Sequence, residues 1–250
     1  MASGIPAAIS LAPSFPLAFA KDKWSLVSGV LTHLGFLVIE PTTVVLPDIV
    51  RMRLESAQER KIPVQISSCC PRVVKLIERS FPEAVPFLSA TPSPATHHCR
   101  ELRRRLGARC AVVFATPCAD KAEEALRPEN SGSADEVITF VELTEWLDHR
   151  GAWEKAEARE FSLEAPYWAY AGLLVSDVSG MSDCRRLLRQ PGSLVPGFYE
   201  LLACQYGCMG GPGLPNLYDI RVRGAVMREY IESVRDQQLE ERPIARANKG

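Results

Sequence analysis

The stretch from Glu200 to Pro215 reads ELLACQYGCMGGPGLP. The apolar run Phe198–Ala203 predicts a strand that ends at Cys204. Cys208 follows, and then a loop holding Gly210, Gly211, Pro212, Gly213 and Pro215. Thiols spaced i and i+4 face the same way if the turn between them is helical. Glycines let backbone approach something bulky, because no Cβ stands in between. Taken alone, the pair is equally a zinc half-site, a disulfide or no site at all. Two upstream cysteine loops change that: Ser67-Ser68-Cys69-Cys70-Pro71 and Thr116-Pro117-Cys118, each at the end of a predicted strand. Four cysteines delivered from three strand-end loops are the donor set that a cubane iron–sulfur cluster requires.

The rest of the composition narrows the class. The chain has 250 residues, 46% of them hydrophobic and 24% charged, which is ordinary globular usage. That length is enough for one large domain or two lobes. A formal net charge of −1 gives no footprint for nucleic acid. No run approaches the roughly 20 apolar residues of a membrane span. The N-terminal stretch ending in Ala18-Phe19-Ala20 mimics a secretory cleavage site, yet no Lys or Arg precedes Lys21 and Pro6, Pro13 and Pro16 interrupt it. A buried strand over Ala8–Leu11 followed by a Pro-bounded loop is the better reading. Eight scattered cysteines, two of them adjacent, do not make a disulfide framework. They fit a reducing, cytoplasmic compartment with metal or redox duties.

Strand and helix signals alternate along the chain. Asp22–Leu34 has helical spacing, Gly35 breaks it, and Phe36–Ile39 predicts a buried strand. Pro47–Arg60 follows as a charged helix, Val64–Ile66 as a strand and Arg72–Arg79 as a helix. Ser93-Pro94 caps a helix over Ala95–Leu106 that carries Arg100, Arg103, Arg104 and Arg105. Cys110–Ala115 is the clearest buried strand. Val137–Phe140 then predicts a strand and Val141–His149 a helix. Residues 151–197 offer mixed signals, with nothing firm before Arg185–Leu188. Val222–Leu239 is an amphipathic helix, followed by a polar tail to residue 250. Such alternation implies an α/β fold of mostly parallel sheets flanked by helices. Ligands in such sheets sit at the carboxyl ends of strands, where all three cysteine loops fall.

At these residues the chain resembles the H-cluster domain of [FeFe]-hydrogenases. That family carries, in order, TSCCP, MPCxxKxxE and ExMACxxxCxxGGGxP. Here the segments read SSCCP at Ser67–Pro71, TPCADKAEE at Thr116–Glu124 and ELLACQYGCMGGPGLP at Glu200–Pro215. Leu11-Ala12-Pro13-Ser14 matches a further family loop, and FPEAVPFLS at Phe81–Ser89 resembles the segment after the first cysteine loop. The resemblance covers most of residues 8–220 apart from 151–177. It implies a single two-lobed iron-only hydrogenase-like domain over 1–250, with the cluster between the lobes.

Carried over position by position, the resemblance implies that Cys70, Cys118, Cys204 and Cys208 hold a [4Fe–4S] cubane, with Cys208 bridging to a diiron subcluster. Lys121 would donate to a cyanide of that unit, Ala12, Pro13 and Ser14 would line it, and Cys69 would relay protons as a thiol with a pKa of about 8.5. The chain also departs from the family. Thr116 and Leu202 replace family methionines, the segment between the second and third loops is shortened, and a GATGGV-like stretch is missing. Of the acids that extend the proton path, Asp48 stands in for one, and Arg51 falls near the place of the other.

The implied function is reversible hydrogen oxidation and proton reduction. No CxxCxxC module is present, so a ferredoxin or separate electron-transfer subunit is the expected redox partner, with maturation proteins supplying the diiron unit. The alternatives are a hydrogen-sensing module of low turnover, which the shortened core favours, and a non-catalytic iron–sulfur assembly protein. Retained Lys121 and the lack of an extra N-terminal cysteine site speak against the last. Cys99, Cys110 and Cys184 match no family position and read as core residues. Adjacent helical residues diverge, so His97-His98-Cys99 is not expected to ligate a metal. The arginines of 100–105 read as a solvated face or as a docking patch for an acidic ferredoxin.

Overall fold

The computed structural model describes residues 5–155, 157–159 and 175–240. Its strands are β1 (Ala7–Leu11), β2 (Phe36–Pro41), β3 (Val64–Ile66), β4 (Ala111–Thr116), β5 (Glu136–Thr139), β6 (Val175–Ser179) and β7 (Gly197–Leu202). Its α-helices are α1 (Val27–His33), α2 (Leu46–Arg60), α3 (Pro71–Ser80), α4 (Pro94–Leu106), α5 (Asp120–Ala125), α6 (Phe140–His149), α7 (Met181–Leu188) and α8 (Ile220–Glu240). They build two parallel sheets, one in the order β2-β1-β4-β5 and the other β3-β7-β6. The fold is therefore α/β with parallel sheets flanked by helices.

Each sheet has its own apolar core. Around the first pack β1, β4, α1, α4, α6 and α8; around the second pack β3, β7, α3 and α7. β1 reads AAISL and is buried throughout, as a central parallel strand covered on both faces must be. The sequence expectation of a buried strand at Phe36–Ile39 needs correcting. β2 forms there, but at the sheet edge, and Leu37 is 66% exposed. Short apolar runs look alike whether they are central or at an edge, because position in the sheet is a tertiary fact. The Asp22–Leu34 helix also divides, into a 3-10 turn over Lys21–Leu26 and α1.

Ala18 and Phe19, at the apparent cleavage site, are core residues. Ser93 caps α4 by accepting from the Thr96 amide at 3.2 Å, and Thr139 and Glu142 form a capping box at the start of α6. Helix α8 folds back onto the first core. Its Tyr230 meets Phe15 and Trp24 edge-on at 5.3 and 5.2 Å, contacts worth about 0.5–1.5 kcal/mol each beyond area burial. Strand β6 and the first turn of α7 were not legible in the sequence. Much of the unread 151–197 segment, and the polar tail after Glu240, lie outside the described residues.

Candidate metal centre

Every candidate ligand loop leaves the carboxyl end of a parallel strand. The first sheet delivers Ala12–Ser14 after β1 and Cys118 after β4. The second delivers Cys69 and Cys70 after β3, and Cys204 and Cys208 after β7. Strand register aligns these ends: Leu11 lies opposite Ala115, and Ile66 opposite Tyr199. The site forms where the two sets of strand ends meet.

The glycines of the third loop hold the two sides together. A Cβ on Gly211 would lie 2.6 Å from the Pro117 carbonyl oxygen, and one on Gly213 would lie 2.8 Å from the Pro117 carbonyl carbon. The bulky neighbour that these glycines admit is thus the second cysteine loop itself. The turn between Cys204 and Cys208 is not α-helical. Tyr206 takes a left-handed conformation with φ 63°, and a 3-10 turn runs over Gly207–Gly210. Arg72 and Asp120 approach to 3.7 Å across the same seam, and Lys75 pairs with Glu123 beside them.

The four expected ligands share one electrostatic neighbourhood. Burial pushes the Cys208 thiol up to about 12, and the charges of Cys70, Cys118 and Cys204 act on it in the same direction, partly opposed by Lys121. Cys118 is raised to about 11, chiefly by burial, against the Asp120 backbone hydrogen bond, with the Asp120 and Cys70 charges adding. Cys204 is raised by burial and by Cys70, against an Arg72 hydrogen bond that favours its thiolate. Such thiols stay protonated until a cation takes the proton's place.

Among the described residues, no three His, Cys, Asp or Glu side chains converge closely enough to hold a single metal ion. Four cysteine thiols brought from three loops are the donor set of an iron–sulfur cubane. A second observation extends the fit. The Ser14 hydroxyl, 5% exposed, has no hydrogen-bond partner among the described residues, which leaves a donor for a bound group. Ala12 holds this loop by donating its amide to the Ala115 carbonyl at 2.8 Å, and Pro13 lies between them.

Lys121, on α5, is buried against Glu124 at 2.6 Å and lies 3.3 Å from the Ser93 hydroxyl. Burial works against its charge, but Glu124 and then Cys69 and Cys208 outweigh it, so Lys121 is held charged with a raised pKa. Glu124 also accepts from Ser93 and from Thr96.

Cys69 differs from its sequence expectation. Its thiol donates to Glu200 Oε2 at 3.0 Å, and burial followed by the Glu200 charge lifts its pKa well above the ordinary value. Glu200 pairs in turn with Arg53, which is itself buried and donates to the Ser67 hydroxyl at 2.7 Å. Asp48, the expected stand-in for one acid of the proton path, pairs at 3.0 Å with Arg51, which falls near the place of the other, on the exposed side of α2. Sequence reasoning missed Arg53. Its signal was available, since Arg53 falls four residues after buried Ile49 on the apolar face of α2.

The arginines of α4 are largely engaged within the chain. Arg105 pairs with Glu40, Arg104 with Glu101, and Arg103 with Asp135, while Arg100 donates to the Glu129 carbonyl. His98 faces Ser10 and Glu40 in the core.

Known proteins agree with this architecture. One curated relative is the cytosolic Fe–S cluster assembly factor NAR1 of Encephalitozoon cuniculi, 24% identical over 213 residues. That match takes in 69% of this chain and 57% of the relative, so the chain spans little more than half of that protein's length. Among solved structures, apo [FeFe]-hydrogenase HydA1 from Chlamydomonas reinhardtii superposes with a TM-score of 0.71 at 18% identity, covering 88% of this chain and 83% of that one. A structure concerned with oxygen inactivation at the H cluster's 2Fe subcluster gives a TM-score of 0.68 at 18% identity, covering 92% and 88%. At such identities the likeness shows the fold. No helix among the described residues is long and apolar enough to cross a membrane. The family model described as iron only hydrogenase large subunit, C-terminal domain, matches residues 6–172, which contain the first two cysteine loops but not the third. On that match, the chain belongs to the iron-only hydrogenase large-subunit family and carries its C-terminal, H-cluster-type domain fold.

Proposed function

We propose that this chain binds a [4Fe–4S] cubane through Cys70, Cys118, Cys204 and Cys208 and carries a diiron subcluster beside Cys208, acting on hydrogen and protons. The observation that carries the reading is buried, charged Lys121. It pairs with Glu124 at 2.6 Å, and the thiols of Cys69 and Cys208 add to what holds its charge. A cubane alone requires only the thiolates. A fixed cation near those thiols suits a further anionic, cyanide-bearing unit.

When bound, the diiron unit supplies the chemistry of splitting and forming hydrogen, and the cubane exchanges electrons with it. The protein's own residues bind and orient. Lys121 donates to the anionic side of the unit, Ser14 donates from the β1 loop, and Cys69 holds a proton that it shares with Glu200. Arg53, paired with Glu200, holds it in place. Electrons come from a ferredoxin or a separate electron-transfer subunit, maturation proteins load the diiron unit, and the protein works in the cytoplasm.

A second reading is favoured by the NAR1 likeness: iron–sulfur assembly without hydrogen turnover. One experiment separates the two. The chain is reconstituted anaerobically with iron and sulfide, then given a synthetic diiron complex. Infrared bands of bound cyanide and carbon monoxide, together with hydrogen evolution from a reduced donor, support the first reading. A cubane signal that persists while the diiron complex fails to bind supports the second. Stoichiometric zinc with no cluster removes both.

A further inference from the structure

The glycines of the third cysteine loop also form one wall of a cavity that opens to solvent. Its volume is about 620 Å³, within the range of small-molecule pockets. The other walls are the first turns of α6 and the start of α8. Local contacts fix the three walls relative to one another. The Val141 amide donates to the Gly213 carbonyl at 3.0 Å, which ties α6 to the loop. Arg223 Nη1 donates to the Met209 carbonyl at 2.7 Å, which ties α8 to it. Gly210 keeps the loop close-set, since a Cβ there would run into the Gln205 carbonyl. The cavity is therefore formed in the folded chain before anything binds.

Its lining divides by chemistry. Val141, Leu214, Pro215 and Ile220 give apolar walls, and two opposite charges, Arg223 and Glu145, stand among them. Arg223 is only 7% exposed, and an arginine buried that far is ordinarily paired with an anion. Here its Nε donates to the Tyr218 carbonyl at 3.0 Å and its Nη1 to Met209, both neutral acceptors. Among the described residues no acceptor meets its Nη2, and no carboxylate pairs with the guanidinium. Asp219, close by in sequence, is engaged at both oxygens by Arg221, at 2.8 and 3.0 Å. A carboxylate entering the cavity would thus meet unused, charge-assisted donors. Glu145 follows Val141 by one helical turn, on the same face of α6, and is exposed. Its charge opposes any further negative charge on the entering group.

We propose that this cavity binds a small monocarboxylate with an apolar body, its carboxylate on Arg223 and its chain against Val141, Leu214 and Ile220. The planar guanidinium fork matches a carboxylate in shape as well as charge. The apolar walls take up the hydrocarbon body, each buried methylene adding roughly fourfold in affinity. Phosphate and dicarboxylates fit less well, because they carry the extra charge that Glu145 opposes. The bound group rests against the third cysteine loop, for Arg223 also holds the carbonyl of Met209, the residue after Cys208. The site belongs to the folded chain itself and does not depend on a bound cluster.

The test is calorimetric titration of the full-length apoprotein with hexanoate, acetate, hexan-1-ol and inorganic phosphate. Hexanoate should bind roughly 10-fold or more tightly than each of the others. Acetate lacks the apolar body, hexan-1-ol lacks the charge, and phosphate brings the second charge. Arg223→Gln should weaken hexanoate roughly 10- to 10²-fold, the scale of hydrogen bonds to a charged group. Arg223 also braces Met209, so Val141→Asp supplies a second variant. Val141 packs into neither core, and an acidic residue suits the first turn of a helix. Its carboxylate would take up the free donors of Arg223, so that protein should fold and lose hexanoate binding. No binding of the unaltered protein at millimolar hexanoate overturns the site. So does acetate, hexan-1-ol or phosphate binding as tightly as hexanoate, or hexanoate affinity unchanged in a folded Arg223→Gln or Val141→Asp protein. None of these results depends on cluster loading, so the outcome stands apart from that of the reconstitution.

Discussion

The amide of Gly213 donates to the carbonyl of Pro117 at 2.8 Å. This bond joins the third cysteine loop to the second across the seam between the two sheets. Cys208 and Cys118 therefore lie on loops joined by a close backbone contact, one that a side chain at Gly213 would crowd.

Gly211→Ala tests that contact. Its Cβ would fall 2.7 Å from the Pro117 side chain and 3.0 Å from the Cys208 carbonyl oxygen, so the loops must separate. The expected cost is about 1–3 kcal/mol, the scale of overpacking, read from urea denaturation. Iron bound per chain after reconstitution should fall as well. Unchanged stability together with unchanged iron content would show that the seam tolerates a methyl group.

Lys121→Ala should be costly in the apoprotein as well as the loaded one. It leaves Glu124 charged, buried and short of a cation, a loss of roughly 3–5 kcal/mol. The double variant Lys121→Ala with Glu124→Gln removes that imbalance and should recover much of the stability. The cubane should still assemble in the double variant, but cyanide infrared bands should weaken as the diiron unit is lost. Full retention of those bands would remove the Lys121 assignment.

Cys69→Ser keeps a hydrogen-bond donor opposite Glu200 and leaves Cys70 untouched, so cluster content should not change. A serine hydroxyl gives up its proton far less readily than a thiol. Hydrogen turnover should therefore drop roughly 10²-fold or more, the scale of a lost acid–base group. Equal turnover in the two proteins would mean that protons do not pass through Cys69.

Stability should fall in acid, in two stages that trace to one network. His98 is lowered from its ordinary 6.5, first by burial and also by Arg105 and His97, against Glu40. The unfolded chain therefore binds that proton more readily. The His98 contribution is complete above pH 6.5 and is lost as pH falls below it. Glu40 is lowered from 4.5 to about 2, chiefly by its bond to His98 and then by Arg105 against burial. Its contribution is present above pH 4.5 and disappears between there and about 2. Urea midpoints measured across this range should show both stages, and His98→Gln should flatten the upper one. A variant with the same slope between pH 6.5 and 4.5 would place that proton elsewhere.

Much of this protein could be read along the chain. The three cysteine loops and the parallel α/β class rest on local spacing and on turns set by Gly and Pro. Neighbours in sequence report that kind of information directly. The tertiary structure alone decided what meets across the chain. Glu200 reaches Cys69 from 131 positions away, Ser10 reaches His98 from 88, and β2 lies at an edge, not in the centre. Arg53 looked like one more charge on a charged helix until folding brought Glu200 and Ser67 to it. A side chain's pKa and its partner depend on burial and on charges brought in by distant segments, and no local pattern encodes them. The sequence thus determined which residues are candidates to hold a cluster, and the meeting of loops from the two sheets decided which of them lie near one another.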